Sequence, residues 1–397
     1  MEGNSLDGLT VRPLSWSRVV NRLILAIVYF LLLSLPVLWF GKPSFVPALR
    51  ENRQSRPLPH YSLFWFQQFG DWFGDRFGMR DALVHYGSKL QMARTGTPMN
   101  LNVVVGRDGW LFYDEHYKPG HPHFADMLGQ QPLTQGQLRT IANNLDQVRE
   151  RLHACGIPFY IVLAPNKETI YPEKLWVRPP PGTTTNADQL VRYVATANPL
   201  LQVIDLRDPL KKAKAAQTFE LYKRTDSHWN TLGAFIGYQA ITDRLIHDEV
   251  MDSTPRARFD AYRVSRHSFD GGDIAVNLLS LPGYFTDYVV TFDPVVPKHA
   301  RLTTFAGWPA QGANFESTEN PTATGRLLLF RDSFSGELMP FFAEDFNRMY
   351  SVLSHRVDGD AVRRAQPQAV MLEIVERNIR VMQEAPINLG MVCQPRS

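Results

Sequence analysis

The chain has 397 residues, of which 44% are hydrophobic and 20% charged, and this composition excludes a collagen-like repeat, a coiled coil and a mostly disordered polymer. Its 42 basic and 39 acidic side chains give a formal net charge of +3, without the basic cluster of a dedicated nucleic-acid-binding protein. Two cysteines, Cys155 and Cys393, exclude a disulfide scaffold and a thiolate-rich metal site and leave their own pairing open.

The first predicted element is a membrane anchor. Residues 23–40 form eighteen consecutive residues without a charge, with Arg18 and Arg22 before them and Lys42 after them. A run of about this length predicts a helix that crosses a bilayer. No small-residue cleavage site follows, so the pattern favours an uncleaved anchor over a signal peptide. The basic residues on its two sides do not decide its orientation.

The remaining chain predicts an α/β sandwich around a mainly parallel sheet, because apolar strands alternate with helices. Aromatic pairs between residues 57 and 95 predict helical turns, and VVVGRDGWLFY at 103–113 predicts a hairpin that turns at Asp108-Gly109. Further strands are predicted at 159–165, 200–206, 326–330 and 368–375, and helices at 134–153, at 230–248 and from near Ser333 through Phe346.

The strongest candidate for a catalytic segment is YKRTDSHWN at 222–230. Asp226 and His228 lie two residues apart, so on an extended backbone their side chains leave on the same side. The carboxylate can then fix the imidazole tautomer and leave the other ring nitrogen free as a base. Ser227 points the other way and is a weak nucleophile candidate. A surface loop pair or a helix cap explains the same pattern.

A second candidate is LLLFRDSFSGELMPFF at 327–342, where an apolar strand runs through a polar turn into a helix. Ser333 lies at this junction, beside helix N-terminal amides that can stabilise an oxyanion. The alternative is that Asp332 or Ser333 only caps the helix. Together the two segments supply a nucleophile, a base and an orienting acid.

Four further candidates for substrate binding have structural alternatives. Asn166 and Lys167 follow a strand and either bind substrate or form a turn, and Tyr171 and Trp229 either stack on a sugar ring or pack in the core. For Glu373 and Glu376, at the end of the last strand, structural salt bridges are favoured. The loop histidines at 116, 121 and 123 lack regular ligand spacing, so no metal is predicted.

Four blocks in the order of one known family make a resemblance specific: GRDGWLFY at 106–113, LAPNKETIYPEKL at 163–175, YKRTDSHWNTLGAF at 222–235 and FRDSFSGELMPFF at 330–342. With GGDIAVNL at 271–278 and EIVERN at 373–378, the chain resembles the SGNH-hydrolase-like alginate O-acetyltransferases of the AlgJ/AlgX type and their exopolysaccharide-modifying relatives. The resemblance spans roughly residues 100–380. It implies a three-layer α/β sandwich with Ser333 as nucleophile, His228 as base and Asp226 as acid. Arg331 replaces the glycine of the family's serine motif and is expected to narrow the pocket or bind an anionic substrate.

The resemblance also implies a location and partners. It places a cytoplasmic N-terminus at 1–22, an inner-membrane anchor at 23–41, a membrane-proximal helical segment at 42–99 and a periplasmic catalytic domain at 100–397. The implied partners are a polysaccharide acceptor, a multi-pass membrane acyltransferase that delivers the acetyl group, and other exopolysaccharide-assembly proteins. No cofactor is implied.

The sequence leaves three functions open. The first is a serine-dependent O-acetyltransferase that acetylates a secreted polysaccharide through an acyl-enzyme. The second is a carbohydrate acetylesterase with the same three residues, because transfer and hydrolysis differ only in whether a sugar outcompetes water. The third is a catalytically silent glycan-binding assembly subunit, which the altered motif at Arg331 keeps open.

Overall fold

The computed structural model describes residues 16–39, 46, 56–251, 257–312 and 314–390. The chain divides into two compact units, Met1–Ala93 and Arg94–Ser397. The predicted N-terminal segment through residue 15, the end of the predicted anchor at 40–41 and Cys393 lie outside the described residues. Cys155 is disulfide-bonded.

The described residues of the first unit form three helices, the last of which ends two residues beyond Ala93. These are α1 (Trp16–Leu38), α2 (Trp65–Arg76) and α3 (Arg80–Thr95). Helix α1 contains most of the predicted anchor. No helix within the described part of the chain combines the length and apolarity needed to cross a membrane. The predicted aromatic turns form α2, which buries none of its residues and stacks the ring of Trp65 on that of Phe69 at 5.0 Å.

The second unit begins with a short hairpin and continues as an α/β structure. Its strands are β1 (Val103–Val105), β2 (Leu111–Tyr113), β3 (Phe159–Ala164), β4 (Gln202–Asp205), β5 (Tyr262–Phe269), β6 (Asp287–Pro294), β7 (Arg301–Leu302), β8 (Phe315–Glu319), β9 (Thr324–Arg331), β10 (Phe346–Leu353) and β11 (Ala369–Val375). Its α-helices are α4 (Gln135–His153), α5 (Lys167–Ile170), α6 (Asn186–Ala197), α7 (Arg207–Ala216), α8 (Thr231–His247), α9 (Met339–Asp345) and α10 (Gly359–Ala365). The hairpin and the seven other strands and helices predicted in this unit are confirmed, the helix predicted after Ser333 as a 3-10 turn, Ser333–Glu337, followed by α9.

The main sheet has seven strands in the order β4-β3-β11-β9-β10-β8-β7. The first five strands are parallel, and β8 and β7 complete the sheet with antiparallel pairing. One row of paired residues crosses the parallel part from Val203 through Ile161, Leu372 and Phe330 to Val352. The sheet is therefore mixed and mainly parallel, as predicted.

Helices cover both faces of this sheet, which gives three layers. On one face Val162, Leu329 and Met371 pack with α8 and α9, and on the other Ile161 and Leu372 pack with α4, α6 and α10. Successive residues of the same strands enter opposite cores, as the alternation of side chains in a strand requires. Each inner strand is consequently apolar along its whole length.

The structure adds elements that the sequence did not predict. Strands β5 and β6 pair antiparallel outside the main sheet, and β10 lies between β9 and β8. Strand β5 contains two arginines, a histidine and two serines and is largely exposed, so it lacks the apolar alternation of a buried strand. The parallel strands β3, β9 and β11 all end at one edge of the sheet, and Asn166, Ser333 and Glu376 follow directly there.

Candidate active site

His228 lies in a tight loop between α7 and α8. Tyr222 and Trp229 pair across this loop, and the side chain of Asn230 accepts a hydrogen bond from the backbone of Gly233 and caps α8. Within the loop, Asp226 Oδ1 accepts hydrogen bonds from the backbone nitrogen of His228 at 2.9 Å and from its Nδ1 at 2.7 Å. The carboxylate thus fixes both the backbone and the ring of the histidine.

Ser333 begins a short 3-10 helix, Ser333–Glu337, directly after β9. Asp332 caps this helix, because its Oδ1 accepts a hydrogen bond from the backbone nitrogen of Phe334 at 2.8 Å. Its Oδ2 accepts a hydrogen bond from the backbone nitrogen of Val375, in β11, at 2.8 Å. The capping interpretation is therefore confirmed for Asp332, and the cap engages the amide of Phe334. Ser333 itself keeps an exposed side chain.

The two segments meet through adjacent residues. His228 Nε2 lies 2.7 Å from Ser333 Oγ, and the indole nitrogen of Trp229 donates to the carbonyl of Phe334 at 2.9 Å. The ring of Phe334 packs against those of His228 and Trp229, with centroids 5.0 and 5.3 Å apart. With Nδ1 donating to Asp226, Nε2 is free to accept the hydroxyl proton of Ser333, which is the geometry needed to activate a serine.

Charge in this arrangement is concentrated on Asp226. Burial opposes ionisation of its carboxyl group, but the hydrogen bond from His228 and the positive charges of His228 and Lys223 hold its pKa well below the usual range. Asp226 is therefore a carboxylate at neutral pH and stabilises the positive charge that forms on the imidazole when it accepts a proton.

A second carboxylate, which the sequence did not single out, faces the same histidine. Asp273 Oδ2 lies 3.5 Å from His228 Nδ1 and accepts from Ser227 Oγ at 2.5 Å, while its Oδ1 accepts from the backbone of Ser227 at 2.7 Å. We call Asp226, Ser227, His228 and Asp273 the base cluster. Ser227, the weak nucleophile candidate, has its hydroxyl bound to Asp273, and Ser333 is the serine that reaches Nε2. The GGDIAVNL block was the only sequence signal for Asp273.

One atom each of Asp226, His228 and Asp273 lies close enough to the others to reach a common metal ion. The same carboxylate oxygens accept hydrogen bonds within the protein. Asp226 Oδ1 accepts from His228 and Oδ2 from the backbone of Asp273, and both oxygens of Asp273 accept from Ser227. All four oxygens are thus engaged by protein donors, and we assign the cluster to hydrogen bonding.

Two buried acids lie at the end of β11, Glu373 inside the strand and Glu376 directly after it. Glu373 Oε2 accepts from Ser335 Oγ at 2.8 Å and from the backbone of Asp332 at 3.3 Å, and its Oε1 has no hydrogen-bond partner among the described residues. Burial, and then the charge of Asp332, raise the pKa of Glu373 well above its usual value. The predicted salt bridge is wrong for Glu373, which forms none among the described residues.

Glu376 does form the predicted ion pair, at 3.7 Å from Arg207. Its Oε2 also accepts from the backbone of Asn166 at 2.7 Å and from Thr169 Oγ1 at 2.5 Å. Burial raises its pKa to about 7, and burial likewise raises the pKa of the neighbouring Glu168 to about 8. We call Glu168, Glu373 and Glu376 the buried acid group.

Three of the predicted substrate contacts are wrong, because these side chains are buried and engaged inside the protein. Lys167 donates its three ammonium hydrogens to the carbonyls of Leu111, Arg224 and Asp226 at 2.6–2.8 Å. Trp229 is fully buried, and its edge is bound to the Phe334 carbonyl. Tyr171 is 5% exposed, and its hydroxyl accepts from the backbone of Leu221, so neither ring has a face open to a sugar.

Arg331 and Asn166 are also buried. The Arg331 guanidinium donates to Ser351 Oγ at 2.7 Å and to the Asp332 carbonyl at 3.2 Å. It therefore braces β9 against β10, and the expectation that it narrows the pocket or binds an anion is wrong. Asn166 is 7% exposed and its Oδ1 accepts from the backbone of Arg377 at 3.3 Å, as expected of a residue that orders the turn after β3.

Comparisons with known proteins agree on one family. The model described as an SGNH hydrolase-like domain, acetyltransferase AlgX, matches residues 103–302, about half of the chain, including the base cluster and ending before Ser333. Probable alginate O-acetylases AlgJ from Pseudomonas putida and Pseudomonas fluorescens are 26% and 24% identical over 75% and 76% of this chain and 78% and 77% of their own lengths. PatB1 of Bacillus cereus, solved with a sulfonyl adduct, has the same fold, with a TM-score of 0.52 at 16% identity over 70% of this chain and 95% of its own.

Proposed function

Because the chain belongs to the family of SGNH hydrolase-like acetyltransferases of the AlgX type, we propose that it is a serine-dependent O-acetyltransferase that modifies a secreted polysaccharide through an acyl-enzyme. The observation that carries the proposal is the continuous hydrogen-bonded chain from Ser333 Oγ through the His228 ring to Asp226, with 2.7 Å at both links. The relatives' description as probable alginate O-acetylases supports an acetyl group as the cargo and a polysaccharide as the acceptor.

The reaction proceeds in two transfers. His228 Nε2 takes the proton of Ser333 as its oxygen attacks the acetyl carbonyl of the donor, and the donor's leaving group departs with that proton. A sugar hydroxyl then gives its proton to the same nitrogen and attacks the acetyl-serine, which releases the acetylated sugar and returns the proton to Ser333. Asp226 keeps Nδ1 protonated throughout and stabilises the imidazolium between the two proton transfers.

The cellular setting is part of the same proposal. The uncharged run at 23–40 supports an inner-membrane anchor, with the catalytic domain in the periplasm. There a multi-pass membrane acyltransferase supplies the acetyl group, and other exopolysaccharide-assembly proteins present the polymer. Tethering keeps the catalytic unit concentrated near such a membrane partner, so that weak contacts between them suffice.

The test is acetyl transfer by the purified full-length protein from an activated acetyl ester to an oligosaccharide. Ser333→Ala is expected to lower the rate of transfer at least about 10³-fold. Ser335→Ala is the matched control, since this serine lies in the same turn with its hydroxyl bound to Glu373, and it should retain activity within about tenfold. Undiminished transfer by Ser333→Ala would overturn the nucleophile.

A parallel measurement separates transfer from hydrolysis. Free acetate and acetylated sugar are counted with and without the oligosaccharide acceptor. A transferase gives acetylated sugar at the expense of free acetate when acceptor is added. Acetate release that the acceptor leaves unchanged would identify the protein as an esterase that uses the same residues.

A further inference from the structure

Asp273 makes contacts that the two-transfer mechanism does not use. Its two oxygens accept both hydrogen-bond donors of Ser227, the backbone nitrogen at 2.7 Å and the hydroxyl at 2.5 Å. Its own backbone nitrogen donates to Asp226 Oδ2 at 3.0 Å. Asp273 therefore contacts both residues that precede His228, although it lies 45 residues further along the chain.

The same side chain also reaches the Nδ1 edge of the imidazole. Three oxygens face Nδ1: Asp226 Oδ1 at 2.7 Å, Ser227 Oγ at 3.2 Å and Asp273 Oδ2 at 3.5 Å. Since the hydroxyl hydrogen of Ser227 points to Asp273, the lone pairs of Ser227 Oγ are left for the ring N–H. The positive edge of a protonated His228 thus faces two carboxylates and a hydroxyl polarised by one of them.

Backbone geometry brings Asp273 to this position. A methyl group on Gly272 would lie 2.3 Å from Asp226 Cβ and 2.5 Å from Asp226 Oδ2, and Gly271 has a φ of +117°. Two glycines in sequence allow the loop to pass directly against Asp226, which no larger residue permits. This close approach places the carboxylate of Asp273 beside the imidazole ring of His228.

We propose that Asp273 is a positioning residue for the base: it is a second carboxylate on the Nδ1 edge of His228 and fixes the Asp226–His228 segment through Ser227. The inference rests on the proposed function for its place in catalysis, whereas its effect on His228 is measurable without any reaction. An Asp226–His228 pair alone would leave the backbone of Ser227 and one side of the imidazole unsupported.

Several other charged groups surround His228. From its own loop come Asp226 and Lys223, from α5 comes Lys167 through the Asp226 carbonyl, and from the segment after β11 comes Arg377, whose guanidinium lies 5.1 Å from the Phe334 ring. Burial and the charge of Asp226 raise the pKa of Asp273, so its support of the imidazolium is lost first as the pH falls.

The direct test follows the Nδ1–H proton of His228 by NMR in the full-length protein, with the signal assigned by its absence in His228→Gln. Asp273→Asn removes a negative charge that lies 3.5 Å from Nδ1, so the signal of this N–H should move upfield and its exchange with water should become about tenfold faster. Asp273→Glu keeps the charge and should recover most of this difference. Asp270→Asn is the matched control, because it removes an exposed carboxylate from the same loop, and it should leave the signal unchanged.

Activity supplies the second readout. In Asp273→Asn, kcat should be about 3- to 30-fold lower with KM little changed. An unaltered Nδ1–H signal of His228 in folded Asp273→Asn, shown by an unchanged NMR spectrum elsewhere, would overturn the inference. If that signal changes but the wild-type protein transfers no acetyl group, the proposed function fails and the role of Asp273 toward His228 stands.

Discussion

The base cluster and the buried acid group use the same kind of side chain in opposite ways. In the base cluster, the carboxylate of Asp226 faces the ring of His228, and its pKa is held well below the usual range. In the buried acid group, Glu373 receives only an amide and a hydroxyl, and burial raises its pKa. Of these two buried acids near Ser333, Asp226 has a cation within hydrogen-bond distance and Glu373 does not. This difference determines which of them carries a charge.

The difference separates an acid of the proposed reaction from acids that hold the surrounding turns in place. In the proposed mechanism, Asp226 lies where a proton moves, and it stabilises the positive charge that forms there. Glu373 and Glu376 lie where three parallel strands end, and they accept hydrogen bonds from the turns that carry Ser333 and Asn166. Each group can be altered without directly touching the other, so the comparison can be tested one acid at a time.

The largest effect is expected where the charge is removed from the base. Asp226→Asn should lower kcat for acetyl transfer about 10³- to 10⁴-fold, because an amide can donate to Nδ1 and leave the proton on Nε2, where it blocks acceptance from Ser333. Glu373→Gln is the matched change in the buried acid group. It should alter kcat less than about threefold at neutral pH, since burial favours the protonated form of that carboxyl group. Similar losses in both variants would abolish the distinction between the groups.

A smaller loss is expected when Asp226 is displaced rather than replaced. Gly272→Ala places a methyl group 2.3 Å from Asp226 Cβ, and the carboxylate must move away from His228. A loss of about 10²-fold in kcat/KM should follow, because small misplacements of a catalytic group are costly. Gly336→Ala is the control, as a methyl group there meets nothing within 4 Å. Full activity in Gly272→Ala would show that the exact position of Asp226 is unimportant.

A variant of Lys167 tests the stability of the fold rather than the proposed reaction. Lys167→Met removes the donor for three carbonyls and should lower the free energy of unfolding by about 3–5 kcal/mol, measured by urea denaturation. Lys174→Met, which removes a surface ion pair with Asp108, should leave the free energy of unfolding nearly unchanged. Equal stability of the two variants would mean that the buried ammonium does not tie the hairpin to the base loop.

The smallest effect concerns the pH dependence of stability. The pKa of Glu376 is about 7 in the folded protein against 4.5 ordinarily, so between these values the folded state holds a proton that the unfolded state releases. Its contribution is complete below pH 4.5 and is lost as the pH rises through 7. Glu376→Gln should therefore flatten the decline in unfolding free energy across this range by about 3 kcal/mol. An identical decline in the variant would assign the pH dependence to other groups.

The sequence predicted those parts of the molecule that depend on local pattern. The inner strands and the helix at 134–153 follow from apolar periodicity, and the contact of Ser333 with His228 follows from two motifs and a family resemblance. A position in or near a motif did not predict whether a side chain is buried. Lys167, Tyr171 and Trp229 lie within the family's sequence blocks, but their side chains face the interior. Asp273 escaped attention because its partners lie 45 or more residues away, and only the close approach of Gly272 brings them together.

The hydrogen bonds between the pair His228-Trp229 and the pair Ser333-Phe334 have a consequence for how the protein folds. The two pairs are about 105 residues apart in sequence, so closing the loop between them carries an entropic cost that local contacts cannot offset. Strands β9 and β11 and helix α8 must already be in place before both pairs can meet. Catalytic competence is then among the last properties that a refolding chain acquires, and recovered activity would report completion of the whole α/β unit rather than of its early helices.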